Sequence, residues 1–120
     1  MAQHNDLGKL GEKEAVKYLQ TLGYEILDVN WTFDKAEIDI VAQIDSTLAI
    51  IEVKTRTSVD FGNPEDFVNP KKIKLLVKAV NEYVTVKNLD LNIRFDIISV
   101  LIQNNEIKID FLTDAFYIFY

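Results

Sequence analysis

The sequence predicts an α/β fold in which helices flank a mixed central sheet. Three observations predict it. Apolar residues recur at helical spacing twice, over residues 6–22 and again over 71–87. The stretches 24–33, 36–44 and 47–55, and later 93–102 and 106–112, have strand length and composition, with alternation in the first two. Leu48, Ala49, Ile50 and Ile51 are apolar without alternation, as a central strand covered on both faces requires. The predicted order is α-β-β-β-α-β-β within one domain spanning residues 1–120.

The first helix, 6–22, takes Asp6 as N-cap and Gly23 as its C′ stop. Leu7, Gly11, Ala15, Tyr18, Leu19 and Leu22 form the buried stripe, and Lys9, Lys13 and Lys17 face water. Gly8 and Gly11 each cost about 1 kcal/mol relative to Ala in a helix, so close approach to another backbone is their expected benefit. Glu12, beside Gly8 at the margin of the stripe, can turn inward.

Strand 24–33 places Leu27, Val29, Trp31 and Phe33 on its buried face, and Asp34-Lys35 turns the chain. On strand 36–44, Glu37, Asp39, Val41 and Gln43 share one face, and Ile38, Ile40, Ala42 and Ile44 the other, which reads as core. A tight Asp45-Ser46 turn leads into strand 47–55. Residues 56–69 form a long loop with turn chemistry at Gly62-Asn63-Pro64. Asn69 as N-cap and Pro70 as first helical residue open the second helix, whose stripe is Ile73, Leu76, Val77, Val80 and Val84. This crossover returns the fourth strand parallel to the third. Asn104-Asn105 then suits a hairpin into the fifth strand.

Hydrophobic residues make up 48% of the 120 and charged residues 27%, an ordinary globular balance. The absence of cysteine excludes disulfides and thiolate metal sites. No apolar run is long enough to span a membrane, and the first residues lack signal-peptide character, so a cytoplasmic location is expected. The net charge of −6 weighs against a broad nucleic-acid-binding face, though not against a local basic patch.

The chemistry concentrates in 39–54. Glu52 and Lys54 are two apart and point to one face of their strand, while Asp39 sits on the preceding, hairpin-paired strand. Hydrolysis of a phosphodiester needs an activated water and neutralisation of phosphoryl charge. Mg²⁺ or Mn²⁺ serves both needs and binds through one or two carboxylates. Asp39 and Glu52 suit that role, the Val53 carbonyl can add an oxygen, and Glu12 can complete the shell. Lys54 can orient the water or stabilise developing charge. The plainer alternative is an ion pair between Glu52 and Lys54 at a strand end, with Asp39 solvated.

The ordered set Gly8-x-x-Gly11-Glu12-x-x-Ala15, Gly23-Tyr24, Glu37-Ile38-Asp39-Ile40-Val41-Ala42, Glu52-Val53-Lys54-Thr55-Arg56, Phe61-Gly62-x-Pro64 and Arg94-Phe95-Asp96 resembles the YraN-type family. That family is placed in the PD-(D/E)XK, restriction-endonuclease-like superfamily and is similar to archaeal Holliday-junction resolvases. The resemblance covers about residues 8–100. It implies an αβββαβ core and a metal-dependent DNA endonuclease, with Asp39 as the metal-binding aspartate, Glu52 and Lys54 as the acid-x-lysine pair, and Glu12 as the first-helix glutamate. Ile38 stands where many relatives carry proline, and residues 32–36 lack their arginine and glycine.

Arg56, Lys71, Lys72 and Lys74 form the expected local patch for DNA phosphates. Glu37 is a further candidate at the metal. Asp96 is expected to be the structural partner of a buried cation or else to stand behind the metal ligands, the structural role being favoured. The aromatic tail, Phe116, Tyr117, Phe119 and Tyr120, packs on the sheet or forms a homodimer seam. A nuclease-fold protein that binds nucleic acid or a protein partner without cutting is the alternative function.

Overall fold

The computed structural model describes residues 3–57 and 70–115, with side chains from residue 6 onward. The elements are α1 (Gln3–Thr21), β1 (Glu25–Phe33), β2 (Ala36–Ile44), β3 (Thr47–Arg56), α2 (Pro70–Val86), β4 (Asn92–Gln103) and β5 (Glu106–Leu112). The strands form one sheet in the order β1-β2-β3-β4-β5. β3 and β4 run parallel, and the other neighbouring pairs are antiparallel. This is the mixed sheet and element order that the sequence predicts. The loop 58–69, with Gly62, Pro64 and the Asn69 cap, lies outside the described residues, as does the tail 116–120.

Local chemistry accounts for the turns. At the end of α1, Gly23 takes φ 91°. Its N–H donates to the Gln20 carbonyl and that of Tyr24 to the Leu19 carbonyl, a Schellman closure. α2 closes the same way with Asn88 in the glycine position, at φ 54°. Asn104 and Asn105 both take positive φ, as a two-residue hairpin requires. α1 begins before Asp6, which therefore sits in its first turn rather than at the cap. There the carboxylate still meets the positive end of the helix dipole.

The core lies on both sides of the sheet. Against α1, Ala15 and Leu19 meet Ile40, Ala42, Ala49, Ile51, Ile98 and Val100. Against α2, Leu76, Ala79, Val80 and Tyr83 meet Ile38, Val41, Leu48 and Ile50. Each fully buried Leu, Ile or Val among them contributes about 1.5–3 kcal/mol. Tyr83 ties α2 to β1 by donating its hydroxyl to Asp28 Oδ2 at 2.8 Å and meeting the Trp31 ring edge-on. Burial pushes the Tyr83 hydroxyl up, which keeps it a donor.

Several expectations are corrected. Val41 is fully buried, because α2 covers the face the sequence suggested was polar. Val29 is half-exposed: a register shift between Ile26 and Asp28 displaces the alternation of β1. Leu22 is exposed in the turn after α1. Only one of the two glycines marks a close approach. A Cβ on Gly11 would overlap the Thr55 hydroxyl and lie 2.9 Å from Thr55 Cβ and Cγ2, whereas one on Gly8 meets nothing within 4 Å.

Asp96 is fully buried and holds Arg94 in a two-pronged ion pair, with Nε and Nη2 at 2.8 to 3.1 Å. Arg94 Nη2 also donates to the Tyr24 hydroxyl at 2.6 Å, and the Asp114 N–H donates to Asp96 Oδ1 at 2.8 Å. The cation that Asp96 holds is therefore Arg94, which is only partly buried rather than buried as expected, and its bonds to Asp96 hold it even more firmly protonated.

Candidate functional site

The ladder between β2 and β3 runs from Ile44↔Thr47 to Ile40↔Ile51 and ends there. β2 continues pairing with β1 to Phe33↔Ala36, and β3 with β4 to Arg56↔Leu101. Two central strands thus part while each keeps its other neighbour, which opens a fork in the sheet. Asp39 and Glu52 are the first residues beyond the last pair.

Separation leaves the backbone of β3 in need of a partner. Asp39 supplies it: its Oδ2 accepts the Val53 N–H at 2.8 Å. Val53 therefore meets Asp39 through its amide. The pleat also reverses here. Ile40 packs toward α1 and Ile38 toward α2. On β1, Asn30, flanked by the pairs Val29↔Ile40 and Trp31↔Ile38, takes φ 52°.

α1 reaches the fork because Gly11 lets its backbone lie against Thr55. Glu12, the next residue, is thereby delivered to β2. One carboxylate oxygen each from Glu12, Glu37 and Asp39 lies within 4.8 Å of the others. Asn30 Nδ2 donates to Glu12 Oε1 at 3.2 Å. Burial, and then the neighbouring charges of Glu52, Glu12 and Glu37, push the Asp39 carboxyl up to about 7 against the lowering pull of the Val53 N–H.

Glu52 has different company. Its Oε1 is 3.3 Å from Lys54 Nζ and also accepts a hydrogen bond from Lys72 Nζ of α2. Lys35, Glu37, Asp39, Glu52, Lys72, Leu75 and Leu76 line a cleft of about 200 Å³. Glu52 thus links the carboxylate group to two lysines: its charge helps to raise the Asp39 carboxyl, and its Oε1 meets both Lys54 and Lys72.

The structure therefore brings together Asp39, Glu12, Glu52, Lys54, Val53 and Lys72 of the predicted set. Glu37 belongs with the acidic group. The Glu52–Lys54 ion pair exists, but Asp39 is not a solvated bystander. Arg56 ends β3, half-buried and two positions beyond Lys54, and Lys71 is exposed in the first turn of α2. Asn30 was missed by sequence reasoning. Its signal was a strand-disfavouring asparagine, a residue that tolerates positive φ, inside an otherwise alternating run.

Residues 11–100 match the sequence profile of the uncharacterised protein family UPF0102. The chain belongs to this family. It is 63% identical to a UPF0102 protein of Flavobacterium psychrophilum over 99% of this chain and 100% of the relative. A UPF0102 protein of Flavobacterium johnsoniae is 50% identical with the same coverages. One from Phocaeicola vulgatus is 44% identical over 98% of this chain and 97% of its own. The UPF0102 match spans the fork, Glu12 and Lys72, and it ends at residue 100, within β4.

Proposed function

We propose that this protein is a divalent-metal-dependent nuclease that hydrolyses DNA phosphodiester bonds, on branched or single-stranded substrates, in keeping with its resemblance to PD-(D/E)XK enzymes. The observation that carries the reading is the convergence of Glu12, Glu37 and Asp39 beside the Glu52–Lys54 pair.

The donor set fits Mg²⁺ or Mn²⁺. These ions take hard oxygen ligands, and several carboxylates held close together strain one another until a cation compensates them. Burial first, and the neighbouring carboxylates after it, raise the Asp39 pKa, and a bound cation would offset both. Asp39 and Glu12 would hold the ion, with Glu37 or Glu52 as the further carboxylate. A bound ion supplies phosphoryl charge neutralisation and a more acidic water. Lys54 would donate to a phosphate oxygen or to the attacking water. Glu52 fixes the heads of Lys54 and Lys72. The Asp39–Val53 bond holds the Asp39 carboxylate against rotation. Lys71 and Arg56 would add positive charge for DNA phosphates. A DNA substrate goes with a cytoplasmic location, and no helix among the described residues is long and apolar enough to cross a membrane.

A second reading, binding without cutting, is favoured by the engagement of Lys54 and Lys72 with Glu52 in a chain of net charge −6. Linear, single-stranded, flap and junction DNA should be incubated with the protein in Mg²⁺ and in Mn²⁺. Metal-dependent cleavage is expected, lost in Glu52→Ala and Lys54→Ala while circular dichroism stays native. Failure to cut any substrate in either metal overturns the nuclease reading. Retained binding in Ca²⁺ would then support the second.

A further inference from the structure

β5 forms one border of the sheet, and among the described residues no strand pairs with its outer edge. A regular edge of this kind is a template for another strand. The chain leaving β5 does not cover it as far as residue 115. The Ala115 N–H donates to the Phe95 carbonyl at 2.7 Å and the Asp114 N–H to Asp96, so this stretch stays alongside β4.

Pairing alternation determines which residues face outward. The Asn104-Asn105 hairpin closes on Gln103↔Glu106, a pair that exchanges both backbone bonds in a two-residue hairpin. Glu106, Lys108, Asp110 and Leu112 therefore turn their backbone groups toward β4. Ile107, Ile109 and Phe111 turn theirs outward. The side chains divide in the same rhythm. Ile109 and Phe111 pack toward the α1-side core, and Lys108 and Asp110 stand exposed on the other face.

We propose that two copies of this chain associate through β5, antiparallel about a two-fold axis at Ile109, and so join their sheets into one. Side-chain charge selects the register. About Ile109, Lys108 of each copy faces Asp110 of the other, Ile107 faces Phe111, and every residue from 106 to 112 has a partner. A register centred on Lys108 or Asp110 sets like charges opposite each other, which is unfavourable. One centred on Ile107 leaves 109–112 unpaired. In the chosen register the outward backbone groups of 107, 109 and 111 meet their counterparts, and an apolar stripe continues the α1-side core across the axis. This contact is independent of any activity at the fork.

Sedimentation equilibrium on the full chain tests the proposal. A dimer is expected from micromolar concentrations upward. Lys108→Asp and Asp110→Lys each reverse two symmetric pairs and should each weaken association by about tenfold or more. The double variant Lys108→Asp/Asp110→Lys restores opposite charges and should return to within about threefold of the parent. Circular dichroism checks that each variant folds, and rescue by the double variant excludes a folding defect as the cause. A monomeric parent overturns the proposal. So does a dimer that both single substitutions leave intact.

Discussion

Asp39 accepts the Val53 N–H at 2.8 Å across the point where β2 and β3 separate. One carboxylate thereby completes the backbone of its neighbouring strand and presents its remaining capacity to Glu12 and Glu37. Structure and chemistry meet in that side chain, and they pull in different directions.

The conflict is measurable as pH dependence. Asp39 rises from 3.8 to about 7, chiefly through burial. A carboxyl raised in the folded state binds its proton more tightly there. Its contribution is therefore most favourable below pH 3.8 and is lost as pH rises toward 7. Asp39→Asn keeps an acceptor for Val53 and removes the charge. At neutral pH without divalent ions it should stabilise the protein by about 1–3 kcal/mol. Urea denaturation at several pH values checks this, and the gain should shrink toward pH 4.

Added Mn²⁺ should reverse that ranking. Calorimetry is expected to show binding by the parent chain, weakened by about tenfold or more in Asp39→Asn and in Glu12→Gln. With Mn²⁺ present, the parent should gain thermal stability and Asp39→Asn should not. Unchanged affinity in both variants would place any bound ion elsewhere.

The two glycines of α1 should behave oppositely. Gly8→Ala enters open space and should stabilise the helix by about 0.5–1 kcal/mol. Gly11→Ala meets Thr55 and should destabilise the protein by about 1–3 kcal/mol despite its better helix propensity. Thermal melts of the two variants side by side provide the comparison.

Removing Asp96 leaves a partly buried guanidinium without its partner. Asp96→Ala strips Arg94 of its two-pronged acceptor and should cost about 1.5–3 kcal/mol. Because Asp96 also accepts the Asp114 N–H, hydrogen exchange after β5 should quicken in the same variant.

Most of the scaffold is legible in the residues themselves. Leu48, Ala49, Ile50 and Ile51 announce a two-sided strand, and the helical stripes, Gly23 and Asn104-Asn105 mark where elements begin and end. Glu52 and Lys54 are legible as neighbours on one strand face. Less legible is what depends on a broken pattern. The early end of the β2–β3 ladder, the reversed pleat between Ile38 and Ile40, and Asn30 at positive φ arise from tertiary fit, which a period of two cannot encode. The same holds for Lys72: as one of several lysines in the first turns of α2, nothing local distinguishes the one that reaches Glu52.

The parting of the strands also sets how the molecule responds to occupancy. Glu12 enters the fork from α1 and Lys72 from α2, so the two helices, packed on opposite faces, converge on one set of side chains. An ion held by the carboxylates would fasten α1 to β2, and an anion drawn to Lys72 would compete with Glu52 for the start of α2. Ligand affinity and the docking of each helix then belong to a single equilibrium. Substitutions far from the fork that loosen either helix should register first as weaker binding, well before the sheet itself gives way.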